Sequence, residues 1–181
     1  PLGRALLASS GVLGASKAAR FVALLSEDVR VPGADLGAWE RRLGRGGASD
    51  AGVGKAQAAR VKETQARLER LARRLPASAS DDALASVAAR QEKTRTREDE
   101  LALTCALAYP EWIARRRPGS MAYILAGGVG AELPQGSPLE GQEWLAVASI
   151  DRAPASRHAR ILAAVPLSEE DALAAGGALL E

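Results

Sequence analysis

The chain reads as α+β: an N-terminal all-α helical bundle, then a small antiparallel OB-like β-barrel, then a C-terminal helix. Three observations predict this class. Upstream of Tyr109-Pro110 apolar residues recur at three- and four-residue steps in separate segments, clearest in Gly14 to Leu25 and Lys55 to Leu75, which is the helical period. Alanine makes up more than a fifth of the 181 residues and aromatics only 3%, a composition suited to closely packed helices. Past Tyr109-Pro110 the pattern changes to short apolar runs separated by Gly and Pro turns, the signature of strands. Pro110 lacks an N–H and pushes Tyr109 out of the α region. The pair therefore reads as the hinge between residues 1–109 and 110–181.

Taken in order, Leu2 to Ser9 is expected to form a short helix closed by Gly11. In Gly14 to Leu25, Ala18, Phe21, Val22 and Leu25 share one helical face. Ser26 to Gly33 is a loop with Pro32-Gly33 turn chemistry. Asp35 can cap Leu36 to Leu43, with Gly44 as the stop. Gly44 to Gly54 is glycine-rich and expected to be exposed. The clearest helix spans Lys55 to Leu75, with Val61, Leu68, Leu71 and Leu75 along one stripe. Pro76 to Ser80 is a linker, Asp81 can cap a helix through Arg90, and Gln91 to Glu100 has no apolar residue. Thr96 and Asp99 have capping-box spacing for a helix from Arg97 to Tyr109. Five strand-like segments follow: Trp112 to Arg117, Ser120 to Ala126, Val129 to Leu133, Glu143 to Ile150 and Arg160 to Val165. Gly127-Gly128, Leu133 to Gly141 and Asp151 to Ser156 separate them, and five strands match the count of an OB-type barrel. Ser168 and Asp171 open a last helix, Glu169 to Leu180, weakened by Gly176-Gly177.

Composition restricts the function classes. The single Cys105 provides neither a disulfide framework nor a cysteine metal cluster, which fits a reducing, cytoplasmic setting. No run is long and apolar enough for a membrane span, so no membrane partner is expected. The chain opens at Pro1-Leu2 without an initiator Met and stops within an apolar run at Leu179-Leu180-Glu181, as expected of a piece of a longer protein.

Catalytic chemistry is sparse. GVGKA at Gly52 to Ala56 fails as a phosphate loop, because Ser49 stands where glycine is needed and Ala56 where Ser or Thr is needed. His158 is the only histidine and lies beside a turn, so no histidine metal site or Ser-His-Asp triad can be assembled. Asp81-Asp82 and Glu169-Glu170-Asp171 sit at helix starts, where the helix dipole accounts for them. No catalytic residue, metal ligand or cofactor site is assigned.

What the chain does have is arginine. Net charge is only +2, yet 20 of the 24 basic residues are arginine, a bias that GC-rich coding would also produce. Between Arg41 and Arg74 ten basic residues face three acidic ones, and Arg60, Arg67, Arg70 and Arg74 form a stripe. That stripe is either a solvated face with i, i+4 pairing or a ridge for nucleic-acid backbone. Arg115, Arg116 and Arg117 end the first strand-like segment, with Ile113, Arg115 and Arg117 on one face and Trp112, Ala114 and Arg116 on the other. Trp112, Tyr123 and Trp144 read as barrel core more readily than as base-stacking groups.

Four pieces together resemble the region after the two motor domains of HrpB-type bacterial DExH helicases. They are ALLSEDVRVPGADL (Ala23 to Leu36), ALAYPEWIARRR (Ala106 to Arg117), MAYILAGGVGAELPQGSPLEGQEWLAVASID (Met121 to Asp151) and ARILAAVPL (Ala159 to Leu167). The helix Lys55 to Leu75 matches only loosely. The resemblance implies a ratchet-like helicase-associated bundle over 1–109 and an OB-like domain with terminal helix over 110–181. It implies RecA-like motor domains as partners, which handle ATP and Mg, and a role in guiding single-stranded RNA, with DNA as the alternative, without catalysis in this piece. Arg60, Arg67, Arg70, Arg74, Arg115, Arg116 and Arg117 are the expected nucleic-acid contacts. The rival reading is a helical protein-interaction scaffold whose arginines are solvated. On the first reading binding is weak, sequence-tolerant and salt-sensitive, with a logarithmic slope of roughly −3 if four arginines meet phosphate.

Overall fold

The computed structural model describes residues 1–27, 31–44, 55–74, 95–152 and 158–180. The expected exposed loop before Lys55, the linker Pro76 to Ser80, the helix after Asp81 and most of the apolar-free stretch after Gln91 lie outside the described residues. So does Leu75.

Two helices open the chain, α1 (Leu2–Leu13) and α2 (Ala15–Ser26). The first runs through Gly11 rather than stopping there. Val12 and Leu13 pack against the core, which favours a further turn, and the helix ends where Gly14 takes φ 83°. Ala18, Phe21, Val22 and Leu25 are buried as expected, and so are Ala19, Ala23 and Leu24. A helix buried nearly all round must be central, and α2 packs against α1, α4 (Lys55–Ala72) and α5 (Arg97–Ala108). Next in the chain after α2, α3 (Leu36–Gly44) starts where the Ala38 N–H donates to the Asp35 carboxylate at 2.8 Å, the predicted cap. The α4 stripe is only partly buried: Val61 is in the core and Leu68 packs against it, but Leu71 is 49% exposed. The capping box of α5 forms in full, with Thr96 accepting from the Asp99 N–H and Asp99 accepting from the Thr96 N–H.

Tyr109 closes α5 by donating its N–H to the Cys105 carbonyl at 3.0 Å. Pro110–Trp112 is one 3-10 turn, and the Tyr109 and Trp112 rings stack with centroids 4.9 Å apart. The junction is thus a packed corner. Beyond it β1 (Ile113–Arg116), β2 (Ala122–Leu125), β3 (Gly130–Glu132), β4 (Trp144–Asp151) and β5 (Ala159–Pro166) close a five-stranded barrel in the order β1-β2-β3-β5-β4. Each of the five predicted segments contributes one strand. Four pairings are antiparallel and β3–β5 is parallel, through Ala131↔Ala159 and Glu132↔Arg160. Register shifts around Ser149 let β4 bend as the barrel closes. The final helix, α6 (Glu169–Leu180), begins with the Ser168 hydroxyl accepting from the Asp171 N–H at 3.1 Å.

Burial falls into two clusters. One fills the barrel with Ala114, Tyr123, Leu125, Leu145, Val147 and Ile161. The other joins the helices to the outer face of the barrel through Ile113, Trp144, Ala146, Ala163 and Val165. Strand alternation makes this possible, because successive residues of β1 and β4 face opposite cores.

The segment before α3 also reaches the barrel. The Val31 N–H donates to the Leu162 carbonyl at 3.3 Å, and Asp35 bridges to Ala164, so the segment before α3 lies along β5. Gly33 has φ 68°, its carbonyl accepts from the Ser137 hydroxyl at 2.5 Å, and a Cβ there would come 2.9 Å from Pro138 Cδ. Gly33→Ala therefore combines left-handed strain with a steric clash. It should cost about 1–3 kcal/mol in a urea titration; an unchanged midpoint would show that this contact does not hold bundle to barrel.

Candidate nucleic-acid interface

The arginine triplet lies where β1 leaves the barrel. Ile113 and Ala114 are buried in the two different cores, whereas Arg115, Arg116 and Arg117 are all exposed. The chain then reverses through Pro118-Gly119-Ser120, with the Arg117 N–H donating to the Ala122 carbonyl at 2.9 Å. Burial drives the apolar start of the strand inward and leaves its charged end at the rim.

The three side chains differ in setting. Arg115 holds its guanidinium over the Trp144 ring, 5.0 Å from the centroid, and its nearest carboxylate is Glu143 at 3.7 Å. Arg116 stands opposite Tyr123, whose hydroxyl donates to the Gln142 carbonyl at 2.9 Å. Burial raises the Tyr123 phenol above its ordinary value, Arg116 draws it back, and Glu140 pushes it up. Tyr123 is therefore a core side chain with a satisfied hydroxyl, and Trp144 is buried as well. Trp112 is half-buried against Tyr109.

The helix stripe is placed elsewhere. Arg60, Arg67 and Arg70 are exposed on α4 and Arg74 in the turn after its end at Ala72, short of the expected Leu75; α4 packs on α2 and α1, while the barrel meets α3, α5 and α6. Arg60 pairs with Glu27 at 3.2 Å, Arg70 donates to the Ala66 carbonyl of its own helix at 3.2 Å, and neighbouring Arg73 pairs with Glu69 at 2.5 Å. No ion pair among the described residues involves Arg67 or Arg74. The structure thus holds the expected contacts as two separate groups.

One part of this face was not anticipated from the sequence. His158 places its ring against Gly130, where a Cβ would lie 2.5 Å from His158 Cδ2, and its Nδ1 is 2.6 Å from a Glu132 carboxylate oxygen. A glycine inside a strand is the signal that could have revealed it, since such positions mark close approach by another group.

Elsewhere the charged chemistry ties helices together. Glu40 is buried and accepts from Arg20 at 2.9 Å and Arg97 at 2.7 Å, joining α3 to α2 and α5. Arg95 and Asp171 pair at 2.6 Å with side chains only 7% and 4% exposed, which fastens α6 to the start of α5. Burial pushes the Cys105 thiol far up, so it is not a nucleophile. Among the described residues no group of three or more His, Cys, Asp or Glu could hold a metal, and no helix is long and apolar enough to cross a membrane.

No family model and no curated protein matches the chain. A solved structure does: the crystal structure of the E. coli DExH-box NTPase HrpB, at 26% identity and a TM-score of 0.55. The similarity covers 90% of this chain and 16% of that one. The chain is therefore similar, across helices and barrel alike, to one part of a DExH-box NTPase, and its length is a small share of that protein's.

Proposed function

We propose that the chain is an accessory nucleic-acid-binding region of an ATP-dependent RNA helicase of the HrpB type, guiding a single strand along the motor. One observation supports this most. Arg115, Arg116 and Arg117 are exposed at the end of β1 and lead into the β1–β2 turn. The order β1-β2-β3-β5-β4 with a parallel β3–β5 pair fits an OB-type barrel, and oligonucleotides bind such barrels at the strand 2–3 face and that same turn. The similarity to the E. coli NTPase supplies the wider setting. On this reading the chain works in the cytoplasm, RecA-like domains of the same parent bind ATP and Mg, and the bundle and barrel rest against them. Catalysis is theirs; this chain supplies the grip.

Affinity would come from arginine–phosphate contacts with counterion release, so it is sensitive to salt and tolerant of sequence. A fluorescence anisotropy titration with labelled single-stranded RNA tests it. Three triplet contacts give a logarithmic salt slope of about −2, steepening to roughly −3 if one α4 arginine joins them. Affinity that stays constant between about 50 and about 300 mM salt is incompatible with the reading. The scaffold reading keeps specific support on α4 alone, where Arg60, Arg70 and Arg73 already have partners within the protein.

A further inference from the structure

We infer that the outer face of the barrel carries a base-stacking step, a transverse row of Arg115 resting on the buried Trp144, then Ile124, then the His158 ring seated on Gly130. This rests on the nucleic-acid reading above and assigns that face its ligand group, an unpaired nucleobase rather than phosphate alone.

The row follows from register. Arg115 stands opposite Trp144 on one side and Ile124 on the other, and Ile124 stands opposite Gly130. Directly paired residues share a face, so these four lie side by side across β4, β1, β2 and β3. Arg115 leans over the indole of Trp144, and Ile124 beside it is left 38% exposed. At the far end Gly130 has no side chain, and the imidazole of His158 fills its place. An exposed apolar floor is thus flanked by two planar groups, a guanidinium and an imidazole, about two strand spacings apart or roughly 10 Å. Guanidinium and imidazole planes both stack on bases, and an apolar floor tolerates any base. Glu143, 3.7 Å from Arg115, and Glu132, 2.6 Å from the His158 ring, lie beside the two planar groups. Arg117, just past the end of β1 and on the same side as Arg115, and Arg116 at the rim beside it carry the positive charge that the strand backbone would meet. Charge and apolar surface are therefore separated as a single strand requires, with phosphates at the rim and a base on the floor.

The test compares two probes on the 181-residue chain: an oligouridine and an abasic phosphodiester strand of equal length. The wild type should prefer the base-bearing strand by about tenfold. Gly130→Ala evicts the imidazole without changing charge, and His158→Ala removes it. Each should bring the preference close to unity and leave the salt slope unchanged. Equal binding of both probes by the wild type, or a preference that survives both substitutions, overturns the stacking step and leaves the phosphate grip standing. A wild type that binds neither probe removes the wider nucleic-acid reading as well.

Discussion

Replacing Arg115, Arg116 and Arg117 together with Glu should weaken single-stranded RNA binding by at least about 100-fold near 0.1 M salt and flatten the salt slope from about −2 towards zero. On the proposed reading, three phosphate contacts become three repulsions. The fold itself should persist, because all three side chains are exposed and the apolar half of β1 is untouched. Within the protein the substitution removes the stacking of Arg115 on Trp144, worth about 0.5–1 kcal/mol at an exposed site. Circular dichroism and a thermal melt would separate loss of grip from loss of structure. The same exchange at Arg67, Arg70 and Arg74 should have a smaller effect, since those residues sit on a different layer of the molecule. Unchanged RNA binding in the triplet variant, with the fold intact, would instead favour a scaffold with solvated arginines.

Removing Asp171 should have the largest effect on stability. Asp171→Ala leaves Arg95 deeply buried without this carboxylate, a situation that costs about 3–5 kcal/mol. Helix α6 would lose its tie to α5, and a urea midpoint should fall accordingly. The same pair has a pH signature. Burial raises the Asp171 carboxyl above its ordinary value of 3.8, and the pull of Arg95 and the Ser168 hydrogen bond does not fully offset it. The folded state then holds this proton more tightly than the unfolded state, so stability falls as pH rises through the folded value. The contribution is fully present below 3.8 and is lost above it, opposite to the usual behaviour of a paired carboxylate. Asp171→Asn should abolish that slope, and a wild-type melting profile that only rises from about pH 4 to about pH 6 relative to the Asn variant would contradict it.

Much of this molecule was legible in the sequence because its signals are local. Asp35, Thr96 with Asp99, and Ser168 cap their helices through side chains within three residues of the N–H groups they satisfy. Tyr109-Pro110 ends a helix because proline geometry forbids continuation. The five strands follow from alternation and turn chemistry, both short-range. Where local signals competed with packing, the sequence misled. Gly11 reads as a stop, but Val12 and Leu13 found apolar neighbours and the helix went on. Leu71 reads as core from its spacing, but it lies on the solvent side of the bundle.

The amino-acid pattern by itself determined the fold class, the five strands and the exposed arginine triplet, since each depends on residues close together in the chain. Only the tertiary structure decided how they combine. It wrapped the segment around Gly33 along β5. It separated the α4 arginines from those of β1, and it drew Trp144, Arg115, Ile124 and His158 into one row. The physical reason is that strand register and helix docking are set by burying two cores at once, a requirement on residues far apart in sequence that no local window contains.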